Sequence, residues 1–283
     1  IDMNKVIKEL PDMLSGNELQ NAMSIIPKYD KQIQKDGSMT ERLLKLSDLY
    51  SIYIPSQMST EIYSKLYLGI IRSMQKKRNK LAVQQFNSTY RTMQNIKNKT
   101  GNQQYDGIIG GSDSFTIIGA SGIGKSSAIS RALNLMEANH VIEIEHPYTK
   151  ILPCLTVQCP FDSSVKGLLL EILRKVDEQL GTDYAQTRRF TTDMLIGAVS
   201  QVCLNHIGLL VVDEIQNVVN SKNGKNLIGS LTQLINNSGI SICMVGTPES
   251  EIFFEQAMQL ARRSVGLKYT ALPYNEHFCK VCE

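Results

Sequence analysis

The sequence predicts an α/β fold: a parallel sheet covered by helices on both faces, preceded by a helical N-terminal region. Three observations carry this. From residue 114 onward, short apolar runs alternate with helical stretches of a dozen or more residues, the rhythm of a parallel sheet with helical crossovers. One such run leads into Gly119-Ala120-Ser121-Gly122-Ile123-Gly124-Lys125-Ser126, which fits G-x-x-x-x-G-K-[ST] and is followed by a helical pattern. Before residue 105, the readable apolar periods are helical.

Composition sets the bounds. The chain has 283 residues, and 42% of them are hydrophobic, enough to fill a sizeable core. That excludes a disordered chain, a collagen-like repeat and a disulfide miniprotein. The longest apolar runs, such as Leu209-Leu210-Val211-Val212, fall far short of the ~20 residues of a membrane span. No basic-then-apolar leader opens the sequence at Ile1. The six cysteines are scattered within apolar runs and suit reduced thiols. The expectation is a soluble, cytoplasmic protein.

Residues 1–30 show no long clean period. An amphipathic helix is predicted over 41–53, ending near Pro55. Ser59-Thr60-Glu61 opens a longer one, in which Ile62, Leu66, Ile70 and Met74 recur every fourth residue and Tyr63 and Tyr67 widen the apolar face. A polar helix is expected over 80–98, then the loop Gly107-Ile108-Ile109-Gly110-Gly111. A boundary near 105 divides the chain into 1–105, a helical N-terminal region, and 106–283, the α/β core. Strands are predicted at 115–118, 152–158, 208–212 and 240–245, and helices at 125–138, 164–180, 192–206, 226–237 and 250–260.

Charge is unevenly placed. The net charge is +3, yet residues 62–105 contain no acid and carry Lys65, Arg72, Lys76, Lys77, Arg78, Lys80, Arg91, Lys97 and Lys99. The rest of the chain is therefore net negative. A solvated helix face and a grip on nucleic-acid phosphates both fit such a run.

The glycines of the loop let the backbone wrap around phosphate oxygens with its N–H groups pointing inward, and the new helix adds its positive end. Gly119 through Ser126, with Ser127, are thus the candidate nucleotide-binding residues. Lys125 is placed to bridge the β- and γ-phosphates and Ser126 to ligate Mg²⁺. Gly208-Leu209-Leu210-Val211-Val212-Asp213-Glu214 reads as a buried strand ending in two carboxylates. Asp213 is the expected Mg²⁺ partner of Ser126, and Glu214 the base for the attacking water, which points to ATP hydrolysis. The next strand runs into Gly246-Thr247-Pro248. Thr247 either senses the γ-phosphate or caps a turn. Arg262 and Arg263 either reach the nucleotide of a neighbouring subunit or complement a helix C-terminus.

Together these residues resemble an AAA+ ATPase, a P-loop NTPase family, and more narrowly TnsC, the AAA+ regulators of cut-and-paste DNA transposons, including CRISPR-associated ones. The narrower likeness lies in Asp213-Glu214-Ile215-Gln216-Asn217, in Met244-Val245-Gly246-Thr247-Pro248-Glu249 and in Ala261-Arg262-Arg263-Ser264. Tyr53-Ile54-Pro55 and Ile70-Ile71-Arg72-Ser73-Met74 are similar to that family's pre-ATPase region. The resemblance covers roughly residues 40–275. It implies ATP and Mg²⁺ as cofactors and assembly of a filament or ring of copies on duplex DNA. It also implies recruitment by a target-selection protein of the TnsD or TniQ type, contact with the transposase TnsB and with TnsA, and a cytoplasmic, DNA-associated location in a bacterium. The family's lid, with its second sensor arginine, would follow Glu283 and is apparently absent from this sequence.

Candidate DNA contacts are Lys76, Lys77 and Arg78 in the basic stretch and Lys166, which lies where the family presents pore loops. Lys222 and Lys225 sit in a loop that could equally be plainly solvated. Cys279-x-x-Cys282, with His277, lacks the second pair of ligands that zinc needs. Cys154 and Cys159, five apart, fall on opposite faces of a strand and read as core. The competing readings are another AAA+ nucleic-acid loader of the IstB, DnaA or origin-recognition kind, a P-loop small-molecule kinase, and a DNA-bound scaffold that rarely hydrolyses ATP. A kinase would show an arginine-rich lid after the third helix.

Overall fold

The computed structural model describes residues 3–28, 30–77, 114–145, 148–186, 191–218, 224–252, 266–271, 274 and 278–279. Among the described residues, five helices come first: α1 (Met3–Glu9), α2 (Gly16–Met23), α3 (Lys31–Asp36), α4 (Met39–Ser47) and the long α5 (Gln57–Lys77). Strand β1 (Phe115–Gly119) and α6 (Lys125–Leu135) follow, then the hairpin β2 (Ile142–Glu145) and β3 (Tyr148–Gln158). The remainder is α7 (Val165–Leu180), α8 (Thr192–His206), β4 (Ile207–Asp213), α9 (Gly224–Ser238), β5 (Ser241–Gly246) and β6 (Leu267–Tyr269).

Among the described residues, six strands form one sheet in the order β2-β3-β4-β5-β1-β6. Every pairing is parallel except β2 with β3. Because both faces are covered, β1, β4 and β5 are apolar without interruption, and alternate residues serve opposite faces. On β4, Leu210 and Val212 pack with α7, α8 and α9, while Leu209 and Val211 pack with α5 and α6. Cys154 and Cys159 divide between the same two layers, on opposite faces as their spacing predicts.

Helix α5 supplies much of one layer. Ile62, Leu66, Ile70 and Met74 are buried against Phe115, Ile117, Leu209, Val211 and Val245, so the predicted apolar face is the buried one. Each such side chain contributes about 1.5–3 kcal/mol when buried. The approach is tight at Gly208, where a Cβ would lie 2.3 Å from the Pro153 carbonyl oxygen and 3.1 Å from Met74 Cε. Here the Ser73 hydroxyl donates to the Gly208 carbonyl. The chain before α5 is tied back to it. Tyr67 donates its hydroxyl to Pro11 O at 3.0 Å, and the Tyr63 hydroxyl accepts from Leu14 N at 3.1 Å. Arg131 of α6 donates to the Met23 and Ala22 carbonyls, placing a cation at the C-terminal end of α2.

The differences from expectation are local. The predicted helix 41–53 is α4, opened by a capping box between Ser38 and Glu41, and it tightens into a 3₁₀ turn at Asp48–Ser51. The helix predicted over 125–138 stops at Leu135, and Glu137 just beyond it has φ +52°. Strands β2 and β6 add to the four that were predicted. The helix expected over 80–98, the loop 107–111, the boundary near 105 and most of 250–260 lie outside the described residues. Among the described residues, no helix is long and apolar enough to cross a membrane.

Candidate functional site

The site forms at the C-terminal edge of the sheet, where a parallel fold leaves a crevice beyond its strand ends. Strand β5 lies between β1 and β4. The loop after β1, the acids after β4 and Thr247 after β5 therefore converge.

In the loop after β1, Gly122 and Gly124 have φ +79° and +93°, a left-handed backbone that glycine adopts without strain. Lys125 is the first residue of α6 and is 9% exposed. Its Nζ donates to the carbonyls of Gly119 at 2.7 Å and Ala120 at 2.8 Å, so the loop holds the ammonium. Burial lowers the Lys125 pKa, opposed by the carboxylates of Asp213, Glu214 and Glu249.

Ser126 follows with its hydroxyl 2.8 Å from Asp213 Oδ2. The other Asp213 oxygen, Oδ1, accepts from the Glu214 backbone N–H at 2.8 Å. Glu214 is exposed and has φ +58°, an unusual conformation for a residue with a side chain. Its Oε2 accepts from Gln216 Nε2. Thr247 occupies the N-cap position of the 3₁₀ turn Pro248–Ser250 without a capping hydrogen bond from its side chain. A hydrogen bond from its hydroxyl holds the Glu249 carboxyl below its ordinary pKa.

These groups enclose a cavity of about 240 Å³. Of the predicted site residues, Ser121, Gly122, Gly124, Lys125, Ser126, Ser127, Asp213, Glu214 and Thr247 line it. Gly119 and Ala120 contribute the carbonyls that hold Lys125. Ile123 lies beneath the loop, where a Cβ on Gly119 would come within 2.5 Å of Ile123 Cδ1. Lys166 and Lys225 are exposed at the starts of α7 and α9 and do not line the cavity. Lys76 and Lys77 belong to the last turn of α5, but their side chains, together with Arg78, Lys222, Arg262 and Arg263, lie outside the described residues. Two lining residues escaped the sequence reading, Gln216 and Gly246.

The Ser126 hydroxyl and Asp213 carboxylate make a pair of hard oxygen ligands suited to Mg²⁺, which takes one or two protein oxygens and completes its shell with phosphates and water. Among the described residues, no three His, Cys, Asp or Glu side chains cluster as a metal cage. A site of the phosphate-completed kind needs none.

A profile described as an AAA domain matches residues 109–252, just over half of the chain. The chain belongs to the AAA domain family. Its α/β sheet, phosphate loop and flanking helices are the AAA+ P-loop fold that the sequence predicts. Among solved structures, the chain is similar to the Orc1 protein of Aeropyrum pernix in complex with DNA, at 17% identity and a TM-score of 0.40, covering 57% of this chain and 40% of that one. It is also similar to the Drosophila origin recognition complex bound to DNA, at 11% identity and a TM-score of 0.36, covering 77% of this chain and 35% of that one. The AAA chain thus spans well under half the length of those proteins. No curated protein matches it in sequence.

Proposed function

We propose that this AAA protein binds ATP with Mg²⁺ in the cavity beside Lys125, hydrolyses it, and uses the cycle to assemble on duplex DNA and leave it, as a regulator of transposition of the TnsC kind. The observation that carries the enzymatic part is the meeting of Ser126 and Asp213 at 2.8 Å with Glu214 on the same cavity wall. A hydroxyl, a carboxylate and an adjacent acid in that order are what metal-assisted attack of water on a phosphoryl group requires.

The roles of the chain's own groups follow from their positions. The loop N–H groups and the start of α6 hold phosphate oxygens, and Lys125 leaves the carbonyls of Gly119 and Ala120 for the β- and γ-phosphates. Ser126 and Asp213 would hold Mg²⁺, which would neutralise charge on the phosphate oxygens. Glu214 takes a proton from water as the water oxygen bonds to the γ-phosphorus. The bond from that phosphorus to the bridging oxygen then breaks, its electron pair leaves with ADP, and inorganic phosphate is released. Thr247 orients the γ-phosphate or the water. Arg262 or Arg263 acts on the nucleotide of the adjoining copy.

The DNA and transposition part is supported by the sequence likeness to TnsC across Asp213–Asn217, Met244–Glu249 and Ala261–Ser264, and by the acid-free basic run of residues 62–105. In this reading, residues 106–283 carry the ATP chemistry, and DNA phosphates are met from both parts, by Lys76, Lys77 and Arg78 of residues 1–105 and by Lys166, Lys222 and Lys225 of residues 106–283. The partners are a TnsD- or TniQ-type protein, TnsB and TnsA, in a bacterial cytoplasm. Glu214→Gln tests the reading. The variant should bind ATP normally, turn over roughly 10²–10⁴-fold more slowly, and accumulate as ATP-bound oligomers on duplex DNA. A variant that hydrolysed and dissociated like the parent would contradict it.

A further inference from the structure

Gln216 lines the cavity and has no part in the proposed chemistry. Gln216 sits two residues beyond Glu214, in the 3₁₀ turn Ile215–Val218 after β4. Its amide Nε2 donates to Glu214 Oε2. Its carbonyl Oε1 is buried and has no hydrogen-bond partner among the described residues.

This amide is held in place from several sides. Ile215 next to it is 1% exposed. Asn217 on its other side donates to the Cys159 carbonyl at 3.0 Å and accepts at its own carbonyl from the Ser163 hydroxyl at 2.8 Å, so the turn is fastened to the loop after β3. Gly246 closes the space from β5. A Cβ there would lie 3.1 Å from Gln216 Oε1 and 2.6 Å from Ile215 Cγ2. A glutamine with no task would turn its carbonyl to water, because a buried unpaired carbonyl is unfavourable. Here the orientation follows the carboxylate, which only accepts hydrogen bonds and so calls for the NH₂ end.

Glu214 needs such a holder. It is exposed and its backbone is in the left-handed region. An exposed glutamate has three side-chain torsions to fix before it can serve as a base, and reaction rates fall steeply when a reacting group is misplaced.

We propose that Gln216 is a positioning residue for hydrolysis: its amide fixes one oxygen of Glu214 so that the other faces the cavity and takes the proton of the attacking water. This rests on the reading of Glu214 as the base. Gln216 itself gains and loses no proton; the water proton goes to Glu214, and the electron pair of the breaking phosphorus–oxygen bond goes to ADP. The glycine before Thr247 leaves room for the amide.

Steady-state ATP hydrolysis by Gln216→Glu and Gln216→Leu tests the assignment. Gln216→Glu keeps the size and shape of the side chain and replaces the donor by an acceptor. Gln216→Leu removes the donor and the orphaned carbonyl together. Both should lower kcat roughly ten-fold while KM for ATP stays within about two-fold. A shape-filling role would instead leave Gln216→Glu at the parent kcat, and that result overturns the proposal even if Gln216→Leu fails to fold. A rise in KM with kcat unchanged overturns it as well. Glu214→Gln separates the two levels. If it turns over like the parent, the base reading fails; if it is silent while Gln216→Glu is normal, only the role of Gln216 fails.

Discussion

At the scale of single residues, Lys125 shows how closely the chain itself sets the site. Its ammonium is buried, with two loop carbonyls within 2.8 Å, and burial already lowers its pKa. Phosphate oxygens can replace those carbonyls without new exposure of the cation. Lys125→Ala should therefore weaken binding of a fluorescent ATP analogue by at least roughly ten-fold, the loss expected for a charge-assisted hydrogen bond, with the melting temperature barely moved. The residues that sequence reading found here are those whose chemistry needs a fixed spacing. The loop requires glycine where φ is positive and Lys-Ser where the helix starts, so pattern and geometry are one statement. Gln216 follows no such rule. The sequence placed it in the run that resembles TnsC, but a glutamine after two acids takes its meaning from the neighbouring strand end at Gly246, which is distant in sequence.

At the scale of elements, α5 was legible as a helix and its apolar stripe was legible as the buried face. What the stripe could not reveal is its seat against β1, β4 and β5, because four apolar positions per face do not say which sheet they meet. Gly208 records that seat. A methyl group there would meet the Pro153 carbonyl oxygen at 2.3 Å, so Gly208→Ala should destabilise by about 1–3 kcal/mol in denaturant unfolding. Gly229 in α9 has open space around its Cβ position, and Gly229→Ala should be neutral or stabilising by about 0.5–1 kcal/mol. Equal effects at the two sites would mean that the Gly208 backbone is not packed against Pro153 of β3 as described. The short strands escaped prediction for physical reasons. Strand β6 is three residues, with Lys268 exposed between two half-buried neighbours. It owes its conformation to pairing with β1. Strand β2 alternates Ile142-Glu143-Ile144-Glu145 for too short a span to separate from a loop.

At the scale of the whole molecule, the modest net charge of +3 conceals the separation on which the DNA reading depends. The basic run begins in α5, whose apolar side is fixed to the sheet, so the start of the run is anchored to the body that holds the ATP site. Arg131 extends the linkage by joining the helix of the phosphate loop to the end of α2. A nucleotide-dependent change at α6 would then be felt by the N-terminal segment, which suits a protein that grips DNA only in its ATP-bound form. The decisive measurement is electron microscopy of the protein with duplex DNA, with and without a slowly hydrolysed ATP analogue. Regular filaments or rings on DNA that require the nucleotide are the predicted result. Monomers under both conditions would contradict the account.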